Sequence, residues 1–146
     1  MPQRLPRAIL LSWACLAAIS CGSTSVDPTD DDPEDIPATM AIIAGAYTAT
    51  SFVGGGFDVL ALGGSLNISL GADGSLAGNM SIPAAAGGPL DADMAGTYTL
   101  SGSSLTFLQD ADTFIRDSSW IWSNGVLNGS WSGGGQSASV RLERGT

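Results

Sequence analysis

From Thr39 to the C terminus, apolar and polar residues alternate with a period of two rather than 3.6. In SLNISL, Leu66, Ile68 and Leu70 fall on one side and Asn67 and Ser69 on the other, the alternation of a strand with one buried face. GADG follows, and Asp73-Gly74 readily takes the positive φ angles of a tight turn. The alternation resumes in SLAGNMSI with Leu76, Met80 and Ile82 on one face, which completes a hairpin. The same grammar returns in GTYTLSGSSLTFL, where Tyr98 and Leu100 alternate, Ser101 to Ser104 turn, and Leu105 and Phe107 come back on the same side. In SSWIWSNGVLNGSWSGGGQSASVRLER, Asn124-Gly125 and the triple glycine at 133–135 separate three strands. Asn-Gly between alternating apolar positions is the strongest short hairpin signal. Together with AYTATSFV near the start, the pattern predicts about eight strands, over 45–53, 64–71, 75–82, 95–101, 104–109, 114–123, 126–132 and 136–143.

Nearly every connection is a short turn, so no crossover helix is needed and the chain should run as an all-β antiparallel up-and-down meander. Eight such strands close most readily into a small barrel, which also removes exposed strand edges. The 108 residues of this region suit one domain with a single core. No helix is expected in it. The stretches FVGGGFDVLALGG and PAAAGGPLDAD resist assignment.

The N-terminal segment has a different pattern. Arg4 and Arg7 precede an uncharged apolar run from Ala8 to Ile19, followed by Ser20-Cys21, the order of a secretory signal. The run is 12 residues, whereas a bilayer-spanning helix takes about 20. Ala18-Ile19-Ser20-Cys21 resembles the lipobox of bacterial lipoproteins, with Ala18 where most carry leucine. The resemblance implies a diacylglyceryl group on Cys21, removal of residues 1–20, and acylation of the new amino terminus. An ordinary signal-peptidase cut leaving a soluble secreted protein is the alternative. Cys15 would be discarded with the signal, leaving Cys21 without an internal partner, and a lipid thioether accounts for so isolated an exported cysteine. Two or three acyl chains give stable anchoring where one does not.

After Cys21, six carboxylates (Asp27, Asp30, Asp31, Asp32, Glu34 and Asp35) and three prolines leave too little apolar surface to offset the entropy of ordering. This reads as a disordered tether reaching at most roughly 55 Å at about 3.3 Å per residue. A metal-binding tail is the sharper alternative, but clustered carboxylates without a turn-forming glycine are ordinarily solvated charge. Gly22 after the cysteine, rather than Asp, is similar to the outer-membrane pattern of enteric lipoproteins. The expected organisation is therefore a signal peptide over 1–20, a lipid-anchored acidic linker over 21–39 and a barrel over 40–146, in the bacterial cell envelope and at its outer membrane.

Charge and composition narrow the function. The barrel region sets Arg116, Arg141 and Arg144 against eight carboxylates, a net charge of −5, and the chain has no lysine. A nucleic-acid partner would need a basic face, so that class is excluded. Without histidine, lysine or a free cysteine, the usual general base, Schiff-base amine, thiol nucleophile and zinc ligands are missing. The reading is of a protein that is not an enzyme and uses no metal or cofactor. Carboxylate pairs at Asp110 and Asp112, or Asp91 and Asp93, could serve glycoside hydrolysis, but they sit where aspartates cap turns. Calcium at Asp110, Asp112 and Asp117 would lack the glycine and distal glutamate of a calcium loop. Asn67, Asn79 and Asn128 match the glycosylation sequon, which the bacterial lipobox sets aside.

Gly45-Ala46-Tyr47, the later Gly96-Thr97-Tyr98 and the basic residue of SVRLER resemble the calycin group, particularly lipocalin-like envelope domains; an avidin-like barrel is similar. In that group a Gly-x-Trp opens the first strand and its ring packs at the closed end against an arginine near the last strand. The resemblance implies that Gly45 and Tyr47 fill the first role and Arg141, or else Arg144, the second.

Trp120 and Trp122 share a face, and Trp131 on the neighbouring strand can pair across Asn124-Gly125. With Tyr98 and Phe107, these rings are candidates to line a pocket for a small hydrophobic ligand. Alternatively they only fill the barrel, leaving a structural or interaction module with envelope protein partners the sequence does not name.

Overall fold

The computed structural model describes residues 38–146; the expected signal segment, Cys21 and the acidic stretch up to Pro37 lie outside them. The chain begins with a four-residue helix, α1 (Met40–Ile43), and then forms β1 (Gly45–Gly54), β2 (Phe57–Asp58), β3 (Ser65–Leu70) and β4 (Ser75–Ile82). A single 3-10 turn at Ala84–Ala86 leads to β5 (Leu90–Ser101) and β6 (Ser104–Gln109). A second short helix, α2 (Phe114–Asp117), precedes β7 (Ser119–Ser123), β8 (Val126–Gly133) and β9 (Gln136–Arg144).

Each strand from β3 to β9 pairs antiparallel with the next, and β1 pairs with β3 on one side and β9 on the other. Eight strands thus close into a barrel, and β2 folds back on the far end of β1 as a short ninth strand. The period of two becomes inside and outside. Leu66, Ile68, Leu70, Leu76, Met80, Met94, Tyr98, Leu105 and Phe107 are buried, whereas Ser69, Asn79, Thr97 and Thr106 are exposed. On the outer wall the Thr48 hydroxyl donates to Asn67 Oδ1 and Asn67 Nδ2 donates to Asn79 Oδ1, both at 3.1 Å, a polar row across three strands.

Three features depart from the expectation. β5 begins at Leu90 rather than 95: Ala92 and the buried Met94 continue the inward alternation, but the intervening Asp91 and Asp93 and the preceding Gly87-Gly88-Pro89 carry the composition of a loop. The strand expected over 114–123 is a helical turn followed by a strand from Ser119, and α1 is also helical, correcting the expectation of no helix. One turn is too short for a 3.6 period to register. β1 carries an irregularity in its pairing with β9 between Ala49 and Ser51, and the extra residue shifts the inward phase from Tyr47 to Phe52, both almost fully buried.

The two ends of the barrel differ. α1 lies across one end, its first turn capped by Thr39 Oγ1 accepting from Ile42 N (3.2 Å). Tyr47 OH donates to Ile43 O (2.6 Å) and accepts from Trp122 Nε1 (3.2 Å), while Arg144 Nη1 donates to Ile42 O (2.8 Å). Arg144 also lies over Gly45, where a Cβ would come within 2.6 Å of its Nε and the backbone φ is +153°. The basic residue at the closed end is therefore Arg144. Arg141 is exposed on the outer wall, paired with Glu143 at 3.0 Å, because residues three apart on a strand face opposite sides. Among the described residues no helix is long and apolar enough to cross a membrane.

Burial pushes the Tyr47 hydroxyl above its ordinary value near 10, against the opposing pull of Trp122 and Arg144. Tyr98, whose OH donates to Gly71 O at 2.7 Å, is raised by burial, then by the charge Tyr47 would gain and by the Asp73 carboxylate. A raised tyrosine favours the neutral folded form, so this contribution to stability is intact below pH about 10 and is lost as pH rises through the folded values. These are the chain's two tyrosines. An ultraviolet titration should show no tyrosine ionising near pH 10 in the folded protein; both should ionise at higher pH together with loss of the β circular-dichroism signal. Independent, non-cooperative ionisation near pH 10 would contradict the closed-end geometry.

Candidate functional site

At the opposite end from α1, four connections rise around the barrel mouth: the β1–β2 turn, the segment between β4 and β5, α2, and the β8–β9 turn. Between them lies a cleft of about 240 Å³. Its walls include Phe52 and Gly54 of β1, Phe57 of β2, Val59, Ile82 and Leu90, with Ala86–Gly88 along one side and Gln136–Ala138 along another. Phe114 and Trp131 complete the lining. Phe114 stands between Phe52 and Trp131, with ring centroids 5.6 and 6.3 Å away and planes tilted by 45° and 48°, so three aromatic rings form a continuous floor. Among the described residues no charged side chain lines the cleft. Its rim is wet on the outside but apolar within: Phe57 is 45% exposed and Leu90 36%, and Leu62 in the adjoining loop is 41% exposed.

α2 is what brings Phe114 there. β6 and β7 share only two residue pairs, Ser104 with Ile121 and Leu105 with Trp120, before they diverge. α2 occupies the opening, sealed by the fully buried Ile115 beneath it and by Ser118 Oγ donating to Phe114 O at 2.7 Å. Arg116 ties the turn on its outer side to Asp112 (2.9 Å) and Asp117 (3.3 Å). Below it Gln109 Nε2 donates to Thr113 Oγ1 at 2.6 Å, and Gln109 Oε1 has no hydrogen-bond partner among the described residues. A buried acceptor left so costs about 1–3 kcal/mol, which makes this seam the least satisfied part of the wall.

The aromatic candidates do not converge. Trp122 sits at the closed end on Tyr47. Trp120 lies in the middle of the barrel, its Nε1 donating to Ile115 O (3.1 Å) and its ring 5.3 Å from that of Phe107. It covers Gly129, directly opposite on β8, where a Cβ would approach the indole to 2.6 Å. Tyr98 packs toward the turn at Gly71, again at the closed end. Of Trp120, Trp122, Trp131, Tyr98 and Phe107, only Trp131 lines the cleft. The expectation of three indoles about one cavity is corrected by register. Trp131 is opposite Ala138 on β9, and Gly129 is the residue that faces Trp120. Phe52, Phe57 and Phe114, which the sequence pattern did not single out, line the cleft with Trp131, and Phe114 is the ring packed against it.

The aspartates stay outside. Asp91 and Asp93 are exposed on the outer wall of β5, opposite Ser81 and Asn79. Asp112 and Asp117 are engaged by Arg116. No group of three or more potential metal ligands is gathered among the described residues. No known family model matches the chain, and no curated protein or solved structure matches it either, so the site rests on its own geometry.

Proposed function

We propose that this chain is a lipid-anchored bacterial envelope protein whose lipocalin-like barrel binds a small hydrophobic molecule at its open end without acting on it chemically. The observation that carries the binding reading is the aromatic-floored cleft, mainly apolar and without a charged side chain among the described residues, at the mouth of a barrel with a packed core. At about 240 Å³ it falls below the 300–1,000 Å³ typical of sites for drug-sized ligands, which suits a single ring or a short alkyl chain. The bound molecule would rest on Phe52, Phe114 and Trp131 and displace water from three ring faces. The anchor rests on Cys21 and the segment before it. The outer-membrane location follows from the same resemblance.

The packed interior favours a second reading, an interaction module with no ligand. Trp120, Phe107 and Tyr98 fill the space that holds the ligand in larger barrels.

Adding 1-octanol to the protein should shift the amide resonances of Gly54, Gly88 and Ser137 and the Trp131 indole, and leave the Trp122 indole unmoved. No shift at the open end at saturating octanol would favour the module. For the anchor, Cys21→Ser should abolish incorporation of labelled palmitate and leave the precursor uncut, and globomycin should also block cutting of the wild type. Normal maturation of the variant to a soluble protein would contradict lipidation.

A further inference from the structure

The charge around the cleft mouth is one-sided. Asp58 directly follows Phe57, Asp91 directly follows Leu90, Asp110 and Asp112 precede α2, which carries Phe114, and Asp117 ends it. Against these five carboxylates the open end holds one cation among the described residues, Arg116, and it is tied to Asp112 and Asp117. The net charge there is −4, most of the −5 of the whole barrel region. Arg141 and Arg144 lie on the outer wall and at the closed end. Among the described residues no charged side chain lines the cleft; the exposed ring of Phe57 stands at its mouth above the floor of Phe52, Phe114 and the half-buried Trp131.

An apolar cavity with an aromatic ring at its opening and a belt of carboxylates around it discriminates among ligands by their polar end. The body of the ligand is held by burial. The end left at the mouth meets a negative potential and the exposed Phe57 ring, both of which favour an ammonium over a carboxylate. Among the described residues the open end has no arginine or lysine beyond the paired Arg116 to receive an acid. Resting on the binding reading above, we propose that the ligand class is a small amine with an apolar body, an alkyl- or arylammonium, and that the mouth selects against fatty acids of the same length.

The test compares octylammonium, 1-octanol and octanoate at pH 7, identical in chain and differing in head charge, by calorimetry and amide shifts on the full mature protein. At an ionic strength of about 20 mM, octylammonium should bind at least about tenfold more tightly than octanoate, with octanol between them. At about 0.5 M salt the two charged ligands should converge to within about threefold, since the belt acts through solvent. Asp58→Asn with Asp91→Asn should shrink the low-salt ratio to about threefold and leave octanol affinity unchanged. Octanoate binding as tightly as octylammonium, or a ratio indifferent to salt, overturns the ammonium assignment while the cleft stands. Failure of all three to shift the open-end amides overturns the binding reading itself, and the assignment with it.

Discussion

The pairing of β1 with β9, from Tyr47 opposite Arg144 to Gly54 opposite Ala138, is the constraint on which the rest of the molecule depends. It turns a run of hairpins into a surface without long free edges, and so a chain without a single lysine can leave serine, threonine and asparagine facing solvent without offering strands to other chains. It also fixes the phase of the interior. Because β1 is irregular between Ala49 and Ser51, its lower half turns Tyr47 inward toward Trp122 and its upper half turns Phe52 inward toward Phe114. One extra residue thus supplies a ring to each end.

The ends then diverge through what covers them. α1 brings backbone carbonyls over the closed end, where Tyr47 and Arg144 bond to them. At the other end, α2 takes the place of strand pairing between β6 and β7, so the wall there is made of side chains and a single turn. Ligand sites are commonly built where regular structure stops, since packed strands leave no space and turns can leave some. The large indole of Trp120, laid over Gly129, fills the middle of the barrel, and the aromatic cleft lies beyond it at the mouth.

Much of this architecture is legible in the chain. Period-two alternation with Asp73-Gly74, Asn124-Gly125 and the glycines at 133–135 places the hairpins within a residue or two, because turn chemistry and burial act locally. Asn124 does adopt a positive φ of 47°, as such a turn requires. The start of β5 is hidden by Asp91 and Asp93 and by the Gly-Gly-Pro before it, which read as loop, and α2 by its brevity. The site is less legible than the fold. Sharing a strand face brought Trp120 and Trp122 to the interior, but which rings meet across the barrel depends on closure and register. Phe57 and Phe114 come from a two-residue strand and a one-turn helix that carry no periodic signal. The choice between Arg141 and Arg144 turned on parity at the end of β9, which settles only when its partner is known.

Native-state hydrogen exchange tests closure most directly. If the sheet is closed, the hydrogen-bonded amides of β1 and β9 belong to the slowest class and exchange with the free energy of global unfolding measured by denaturant, while amides of α2 and the β6–β7 seam exchange through smaller local openings. Exchange of β1 and β9 amides by local fraying, well ahead of those in β3 and β4, would mean that the sheet is open and that the cleft has lost one of its walls.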